Sequence, residues 1–178
     1  LTYCNLRCSY CDSEYSFHEG NNMTIKEIIT KVESYNCPLV EVTGGEPLLQ
    51  KEAIILMQEL LKNKYQVMLE TGGSLPIDKV PKEVIKIVDF KCPSSNMSKK
   101  NDWTIISNLN NLDEIKFVIG NREDYDWVKD KLKEYNLYDK KILFSPVYDV
   151  LDSKSLAEWI LKDKLKVRLQ IQLHKQIW

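Results

Sequence analysis

Residues 38–47, PLVEVTGGEP, are a short β-branched run that leads directly into two glycines. A run of this kind is typical of a strand, and the glycines after it indicate a tight turn. Residues 66–73, QVMLETGG, repeat the pattern, and residues 49–64 between them have the apolar spacing of one helical face. This unit therefore predicts two strands joined by a helix, which is how parallel strands are usually connected.

Helix and strand patterns continue to alternate on both sides of this unit. Thr24 and Glu27 form a capping-box pattern at the start of an earlier helix. Further strands are predicted at 84–91, 114–120, 141–147 and 166–174, and further helices at about 122–136 and 153–163. The pattern predicts an α/β fold with a mostly parallel sheet. Because only about four helices accompany six or seven strands, the expected form is a reduced, partial (β/α) barrel.

The composition is that of an ordinary globular chain, and its 178 residues are expected to form one domain over 1–178. Its 25 Lys and Arg residues nearly balance its 26 Asp and Glu residues, which argues against a dedicated binder of nucleic acid or membrane surfaces. No apolar run is long enough to span a bilayer. An odd cysteine count in a chain that needs no disulfides favours the cytoplasm. Because the chain begins at Leu1, we expect that N-terminal residues are missing.

Unusual residues gather where predicted strands end. These clusters are TGGEP (43–47), ETGGS (70–74), DFKCPSS (89–95) and FSPVYD (144–149). In parallel α/β folds the carboxyl ends of the strands carry the ligand site. The four clusters therefore predict one shared pocket.

Three of the five cysteines, Cys4, Cys8 and Cys11, lie within eight residues. Single buried cysteines are common in protein cores, but three within eight residues are not typical of a core. Disulfides cannot pair all three of these cysteines with one another. Structural zinc normally has four ligands, and no second CxxC supplies the remainder. The fourth interpretation is an iron–sulfur cluster held by three thiolates. Cys37 and Cys92 lie apart, and each is predicted to be a buried small apolar side chain.

A cubane with three cysteine ligands leaves one iron with an open coordination position. The spacing Cys4-x3-Cys8-x2-Cys11 is similar to the cluster motif of the radical S-adenosylmethionine (SAM) superfamily, and TGGEP resembles its second common motif. The resemblance implies that the amino and carboxylate groups of SAM chelate the open iron. It also implies that an electron from the reduced cluster cleaves SAM to methionine and a 5′-deoxyadenosyl radical.

Within that superfamily, CNLRCSYCDSEYSF (4–17) resembles the 7-carboxy-7-deazaguanine synthases, as do ETGGS, KCPSSNM, EIKFVIGN and LQIQLHKQIW. The resemblance implies conversion of 6-carboxy-5,6,7,8-tetrahydropterin to 7-carboxy-7-deazaguanine with loss of ammonia, in the pathway to queuosine and related deazapurines. The radical is expected to take a hydrogen atom from C6 of the pterin. The implied cofactors are a 4Fe–4S cluster, SAM and Mg²⁺. The implied partners are a second copy of the chain and an electron donor such as flavodoxin or ferredoxin, with no nucleic acid or membrane.

The resemblance assigns the roles of the family's functional residues to the matching positions of this sequence. Cys4, Cys8 and Cys11 are predicted to hold the cluster. Ser13, where relatives more often have Thr, is predicted to give an oxygen ligand to Mg²⁺. The predicted SAM contacts are Tyr10, Asp12, Gly44, Gly45, Glu46, Glu70, Asp89, Lys91 and Ser145. The predicted substrate contacts are Thr43, His174 and Trp178.

Some of these residues have a structural alternative or depart from the family. Glu70 fits a structural ion pair nearly as well as a SAM contact, and a lone histidine at a strand end, such as His174, is more often structural. Asp89 begins a segment that often reads Ser-Pro-Lys in relatives, and Ser145 lies where they often have Gln-Pro. The family's Gln-Gly-Glu stretch and an Arg that precedes the position of Leu1 are not in the sequence.

Two other functions stay open at this point. Glycyl-radical activating enzymes share CxxxCxxC and GGEP, but they usually show Cys-His-Asn where this chain has Cys11-Asp12-Ser13. A non-enzymatic zinc or iron–sulfur adaptor would leave the GGEP motif and the strand-end clusters unexplained.

Overall fold

Six strands form one sheet, and their order in space is their order along the chain. The computed structural model describes residues 1–177. The strands are β1 Leu39–Val42, β2 Gln66–Thr71, β3 Ile85–Lys91, β4 Glu114–Ile119, β5 Lys141–Pro146 and β6 Arg168–Leu169. All neighbouring pairs are parallel, so each connection crosses over the sheet. The predicted α/β fold with a parallel sheet is confirmed.

Helices pack beside the sheet, and three of them begin at side-chain caps. They are α1 Ile25–Glu33, α2 Glu52–Lys62, α3 Arg122–Glu134, α4 Ser153–Asp163 and a short α5 His174–Ile177. The predicted capping box is present at α1, where Thr24 and Glu27 each accept a hydrogen bond from the other's backbone N–H. Asn121 and Asp152 cap α3 and α4. Caps of this type contribute about 1 kcal/mol each. No helix in residues 1–177 is long and apolar enough to cross a membrane.

Side-chain alternation along the central strands separates the core from the polar face. Phe90 of β3, Phe117 of β4 and Phe144 of β5 are in register and fully buried. Tyr125 of α3 packs edge-to-face on Phe144, so this row faces the helices. Because successive side chains of a strand point to opposite faces, the adjacent residues face the other way. Those residues are Asp89, Lys91, Lys116 and Ser145, and all of them line one cavity.

The C-terminal strand is shorter than predicted. Only Arg168 and Leu169 pair with β5, and Gln170 adds one further backbone hydrogen bond to Phe144. The chain then leaves the sheet, so the prediction of a strand over 166–174 is wrong for most of its length. His174 begins α5 and does not end a strand.

The two separate cysteines differ from each other in burial. Cys92 follows β3 and is fully buried, as predicted. Cys37 is exposed, so its predicted burial is wrong. The reason is its place beside β1, which is the edge strand of the sheet and has a neighbour on one side only. The long polar loop after Cys92 contains three short 3₁₀ helices, at Pro93–Ser95, Ser98–Lys100 and Trp103–Asn108.

Candidate active site

A cavity of about 690 Å³ lies at the carboxyl edge of the sheet. Its wall is formed by the loop that carries Cys4, Cys8 and Cys11, here called the cysteine loop, by the ends of the strands and by the segment that follows β6. The four predicted strand-end clusters each contribute to it, so the expected shared pocket exists. The predicted site residues on its wall are Cys4, Cys8, Tyr10, Cys11, Asp12, Ser13, Thr43, Gly44, Gly45, Glu70, Asp89, Lys91, Ser145 and His174.

The cysteine loop is joined to the TGGEP turn by close backbone contacts. The N–H of Gly45 donates to the carbonyl of Leu1 at 2.9 Å, and that of Glu46 donates to the carbonyl of Tyr3 at 2.7 Å. A Cβ atom on Gly44 would lie 1.8 Å from the Leu1 carbonyl oxygen, and one on Gly45 would lie 2.3 Å from that of Tyr3. Both glycines are therefore required by the approach of the segment that leads into Cys4.

Asn5 and Ser9 fix the loop from outside the cavity. The amide of Asn5 donates to the hydroxyl of Ser74, in the loop after β2, at 3.0 Å. Ser9 lies against the loop after β3, where its N–H donates to the carbonyl of Ser95 and its hydroxyl to that of Ser94. The loop therefore bridges the ends of neighbouring strands.

Arg7 stabilises the backbone of the same loop. Its guanidinium donates to the carbonyls of Cys4 and Leu6, each at 2.7 Å, and lies 4.1 Å from the centre of the Phe17 ring. Leu6 is buried beneath it. The three cysteines are thus carried by a loop whose backbone has defined partners.

Two ion pairs lie on the floor of the cavity. Lys91 is 3.0 Å from Asp89, and Lys116 is 2.6 Å from Glu70. Burial alone would lower the pKa of each lysine, but the neighbouring carboxylates outweigh burial and raise the pKa above its usual value. Both lysines are therefore cationic at neutral pH. Burial and the nearby Glu70 raise the pKa of Glu41, the carboxyl at the β1 edge of this floor.

Asp12 connects the cysteine loop to the segment after β6. Its Oδ2 lies 2.9 Å from Nε2 of His174 and accepts a hydrogen bond of 3.2 Å from the amide of Gln172. Its Oδ1 accepts from the hydroxyl of Ser13 at 2.9 Å. Burial would raise the pKa of Asp12, but the contacts with His174 and Ser13 outweigh it and lower the pKa. This carboxylate therefore links two segments of the cavity wall.

Comparison with known proteins agrees with this geometry. The model of the Radical SAM superfamily matches residues 1–148. The 7-carboxy-7-deazaguanine synthases of Koribacter versatilis and Chlorobaculum tepidum are each 42% identical over 100% of this chain, which covers 86% and 83% of those proteins. That of Methanospirillum hungatei is 35% identical over 99% of this chain and 74% of its own. The chain belongs to the 7-carboxy-7-deazaguanine synthase family of radical SAM enzymes.

The fold has a more distant likeness among solved structures. Streptococcus suis SuiB, in its crystal structure bound to the precursor peptide SuiA, aligns with a TM-score of 0.69 at 13% identity. The match covers 96% of this chain and 47% of SuiB, so this chain spans less than half the length of that protein. At this identity the likeness concerns the fold alone. The predicted radical SAM fold is confirmed by the family model that matches residues 1–148, together with the parallel α/β sheet.

The three thiols suit the iron–sulfur cluster that this family implies. Cys4, Cys8 and Cys11 all line the cavity, and thiolates are the donors that iron–sulfur clusters use. Within residues 1–177 no three His, Cys, Asp or Glu side chains are gathered around a point that could hold a metal ion. Burial raises the pKa of the Cys8 and Cys11 thiols, so their binding to iron would release protons.

Buried oxygens without partners suit a polar ligand such as SAM. Among the described residues, the buried side-chain oxygens or nitrogens that lack a hydrogen-bond partner are Ser16 Oγ, Asp89 Oδ1 and Ser145 Oγ. All three residues line this cavity. An unsatisfied buried polar atom costs about 1–3 kcal/mol, so a ligand that partners it is stabilised. SAM carries ribose hydroxyls, an ammonium and a carboxylate that can pair with a hydroxyl or a carboxylate.

Glu46 is enclosed beneath the cavity wall, and its predicted contact with the SAM ammonium stays a prediction. Its side chain is 0% exposed and accepts hydrogen bonds from the N–H of Leu48, the hydroxyl of Thr71 and the N–H of Gly72. The carboxylate thus joins the TGGEP turn to the end of β2. Trp178, the predicted substrate contact at the C-terminus, lies outside the described residues.

Sequence reasoning missed two charged residues of the site. Lys116 lies on the cavity floor opposite Asp89 in the register of β3 and β4, and Glu41 lies at the end of β1. The signal for Lys116 was its place between Ile115 and Phe117, because a charged residue between two buried ones in a strand must face the other side.

Proposed function

We propose that this chain converts 6-carboxy-5,6,7,8-tetrahydropterin to 7-carboxy-7-deazaguanine with loss of ammonia, as part of queuosine and 7-deazapurine biosynthesis. The observation that carries the proposal is that one cavity collects the three thiols, the three unpartnered buried oxygens and the Asp12–Ser13 pair. Relatives that are 42% identical over the whole chain bear the name of this activity. When bound, the cluster and SAM would supply the radical that takes a hydrogen atom from C6 of the pterin.

The chain's own residues would bind and orient the reactants. Cys4, Cys8 and Cys11 would hold the cluster at the cavity wall. The unpartnered oxygens of Asp89 and Ser145 would form hydrogen bonds with polar groups of SAM. The neighbouring lysines would keep the net charge of the cavity floor close to zero. Because these groups are already fixed by their strands, they need little reorganisation on binding.

The substrate would lie between the cysteine loop and the segment after β6. Thr43 and His174 both line the cavity and would contact the pterin. Ser13 would bind Mg²⁺ through its hydroxyl, a hard oxygen donor of the kind that Mg²⁺ prefers. We further propose that the enzyme works in the cytoplasm as a homodimer and receives its electron from flavodoxin or ferredoxin.

The central test is an anaerobic assay with the reconstituted cluster, SAM, dithionite, Mg²⁺ and the carboxytetrahydropterin. We expect 7-carboxy-7-deazaguanine and ammonia as products, detected by mass spectrometry and by ammonia assay. Cys8→Ala should abolish both, whereas Cys37→Ala is the matched control because Cys37 is an exposed thiol outside the cavity. Deoxyadenosine without the deazaguanine would overturn the substrate assignment, and full activity of Cys8→Ala would overturn the radical chemistry as well.

The role of Ser13 has its own test. Ser13→Ala removes the hydroxyl and should abolish the stimulation of turnover by Mg²⁺, while the Kd for SAM changes by less than about threefold. Ser13→Thr keeps the oxygen donor and serves as the conservative control. A Ser13→Ala enzyme whose Mg²⁺ dependence matched that of the unmodified enzyme would remove Ser13 from the proposed metal site.

A further inference from the structure

Ser9, which lies between the cysteines Cys8 and Cys11, is held by the short 3₁₀ helix that follows β3. Its N–H donates to the carbonyl of Ser95 at 3.1 Å, and its hydroxyl donates to the carbonyl of Ser94 at 2.6 Å. Both acceptors belong to a helix of only three residues, which has little stability of its own. The position of this part of the cysteine loop therefore depends on what holds Ser94 and Ser95.

Asp124, in the first turn of α3, holds that 3₁₀ helix through Ser94. Its Oδ1 accepts from the Ser94 N–H at 2.9 Å, and its Oδ2 accepts from the Ser94 hydroxyl. Asp124 is fully buried, and hydrogen bonds to a carboxylate are among the stronger ones in proteins. One carboxylate therefore binds both donors of a residue that supports Ser9.

The same carboxylate also holds the end of β4. Asp124 Oδ2 accepts from the N–H of Gly120, the residue after β4, at 2.8 Å. A Cβ atom on Gly120 would lie 2.8 Å from the Ser94 hydroxyl oxygen, so a glycine is what permits this close approach. Two residues before Gly120, the carbonyl of Val118 accepts from the hydroxyl of Tyr10 at 3.1 Å. The supports of both residues between the two cysteines are therefore joined by Asp124.

We propose that Asp124 is a positioning residue for the cluster site, and that it acts on residues 8–11 through Ser94. The proposal rests on the proposed function only in requiring a cluster at the three cysteines, and not on the identity of the substrate. Cys4 has a different support, because the residues that lead into it are bonded to the TGGEP turn. Loss of the Asp124 carboxylate should therefore disturb one end of the cysteine motif and leave the other end in place.

A second buried carboxylate provides a matched control. Asp113 lies directly before β4, at the end of that strand far from the cysteines, and it is almost fully buried. It accepts from the backbone N–H groups of Lys86 and Asn110, each at 2.8 Å. Asp113 and Asp124 thus both hold backbone segments beside β4, but only Asp124 is connected to the cysteine loop. Changes at the two positions separate an effect on the cluster from an effect on folding.

The first test compares Asp124→Asn with Asp113→Asn in the reconstituted enzyme. Each change removes one carboxylate oxygen from a buried site, so both should lower the temperature of thermal unfolding. Under anaerobic conditions, iron should be released to a chelator about tenfold faster in Asp124→Asn and within about twofold of the unmodified rate in Asp113→Asn. If Asp124→Asn does not fold, Ser94→Ala takes its place, because it removes only the hydroxyl that donates to Asp124. An unchanged release rate, or an equal increase in the Asp113→Asn control, would overturn the proposal.

The second test locates the disturbance in the full chain before the cluster is loaded. The reduced protein is alkylated with iodoacetamide, and cleavage by trypsin after Arg7 separates the Cys4 peptide from the peptide that contains Cys8 and Cys11. In Asp124→Asn the second peptide should be labelled about tenfold faster, because this part of the loop opens more often, and Cys4 labelling should change by less than about twofold. Equal acceleration in both peptides would mean that the whole loop is loosened, and would overturn the proposal.

The third test asks whether Asp124 acts through the contact between Ser94 and Ser9. Ser9→Ala removes the hydroxyl bond to Ser94 and should speed iron release about threefold, whereas Ser9→Thr keeps a hydroxyl and should restore the unmodified rate. The double variant Asp124→Asn/Ser9→Ala should release iron as fast as Asp124→Asn alone, because both changes break the same connection. A double variant whose effect is the product of the two single effects would overturn the connection. Iron release and thiol labelling need neither SAM nor the pterin, so a failed substrate assignment would leave these results unchanged.

Discussion

At the residue scale, the most informative side chains are those whose buried oxygens have no partner in the protein. Asp89 is 7% exposed and Ser145 is 1% exposed, yet one oxygen of each lacks a hydrogen bond. A folded protein rarely keeps such atoms without a use, because each costs about 1–3 kcal/mol. Both atoms lie on the cavity wall, so this part of the cavity is suited to a polar ligand.

Ser145→Ala should weaken SAM binding without lowering the stability of the fold. The hydroxyl makes no bond in the free protein, so its removal should change the free energy of unfolding by less than about 0.5 kcal/mol. The Kd for SAM should rise about tenfold, which corresponds to one lost hydrogen bond. Chemical denaturation and equilibrium SAM binding provide the two measurements.

Thr71→Val is the matched control for that variant. The Thr71 hydroxyl is equally buried but donates to Glu46, so its loss should lower the free energy of unfolding by about 1–3 kcal/mol. A Ser145→Ala protein that lost as much stability as Thr71→Val, or kept the SAM affinity of the unmodified protein, would contradict the assignment of Ser145 to the ligand.

At the scale of elements, the TGGEP turn and the cysteine loop act as one unit. The backbone of Leu1–Tyr3 lies against Gly44 and Gly45 so closely that a side chain cannot be inserted. Glu46 then joins the turn to β2 through Thr71 and Gly72. The motif therefore positions the cysteines as well as facing the cavity, and its glutamate joins the turn to the end of β2.

Gly45→Ala should disturb the cysteine loop. The new Cβ would lie 2.3 Å from the Tyr3 carbonyl oxygen, which is backbone and cannot move alone. We expect a loss of more than about 2 kcal/mol in the free energy of unfolding and less iron and sulfide per chain after reconstitution. Gly72→Ala is the milder comparison, because its nearest new contact is the Leu6 side chain of the same loop at 3.0 Å, and a side chain can yield. Normal cluster content in Gly45→Ala would show that the turn does not position the loop.

His174→Ala should affect the pterin more than SAM. His174 lies on the segment after β6 and contacts Asp12 at the cavity mouth. Its removal should raise the KM for the pterin about tenfold or more, and the Kd for SAM should change by less than about threefold. The other histidine, His18, is exposed, so His18→Ala should leave both constants unchanged. Equal effects of His174→Ala on the two ligands would assign it to closing the cavity and not to the substrate.

At the scale of the whole molecule, five consecutive strands each send a polar or charged group to the same cavity. Glu41, Glu70, Asp89, Lys116 and Ser145 come from β1 to β5 in order. Parallel strands with helical crossovers place all their carboxyl ends at one edge, so such a convergence follows from the topology. Lys116 and Glu70 pair across the floor, and this pairing keeps the charges of an empty cavity balanced.

Binding of SAM to the cluster-loaded protein should stabilise the whole fold. At a SAM concentration of 100 times Kd, linkage adds about 2.7 kcal/mol to the free energy of unfolding. Cys8→Ala, which lacks a cluster ligand, should show a much smaller gain at the same concentration, because the proposed chelation of SAM is lost. Thermal denaturation under anaerobic conditions, with and without SAM, measures both. The same gain in Cys8→Ala would mean that SAM binds independently of the cluster.

The sequence alone determined the order of helices and strands, the parallel sheet, the shared pocket and the cysteine motif. These follow from local properties: side-chain periods of 2.0 and 3.6 residues, caps, and the spacing of ligands. Residues 166–174 alternate between apolar and polar side chains, which predicts a strand. Where that strand ends depends on its pairing with β5, which stops at Leu169.

Only the tertiary structure decided which way individual polar groups face and what they meet. In the folded chain Glu46 is buried and Cys37 is exposed. Lys116 pairs with Glu70, and Asp12 contacts His174 across a sequence separation of 162 residues. Burial and pairing depend on neighbours that are distant in sequence, and no local pattern contains them. The chemistry of the three thiols could therefore be predicted from eight residues, whereas the charges and hydrogen bonds around them required the whole fold.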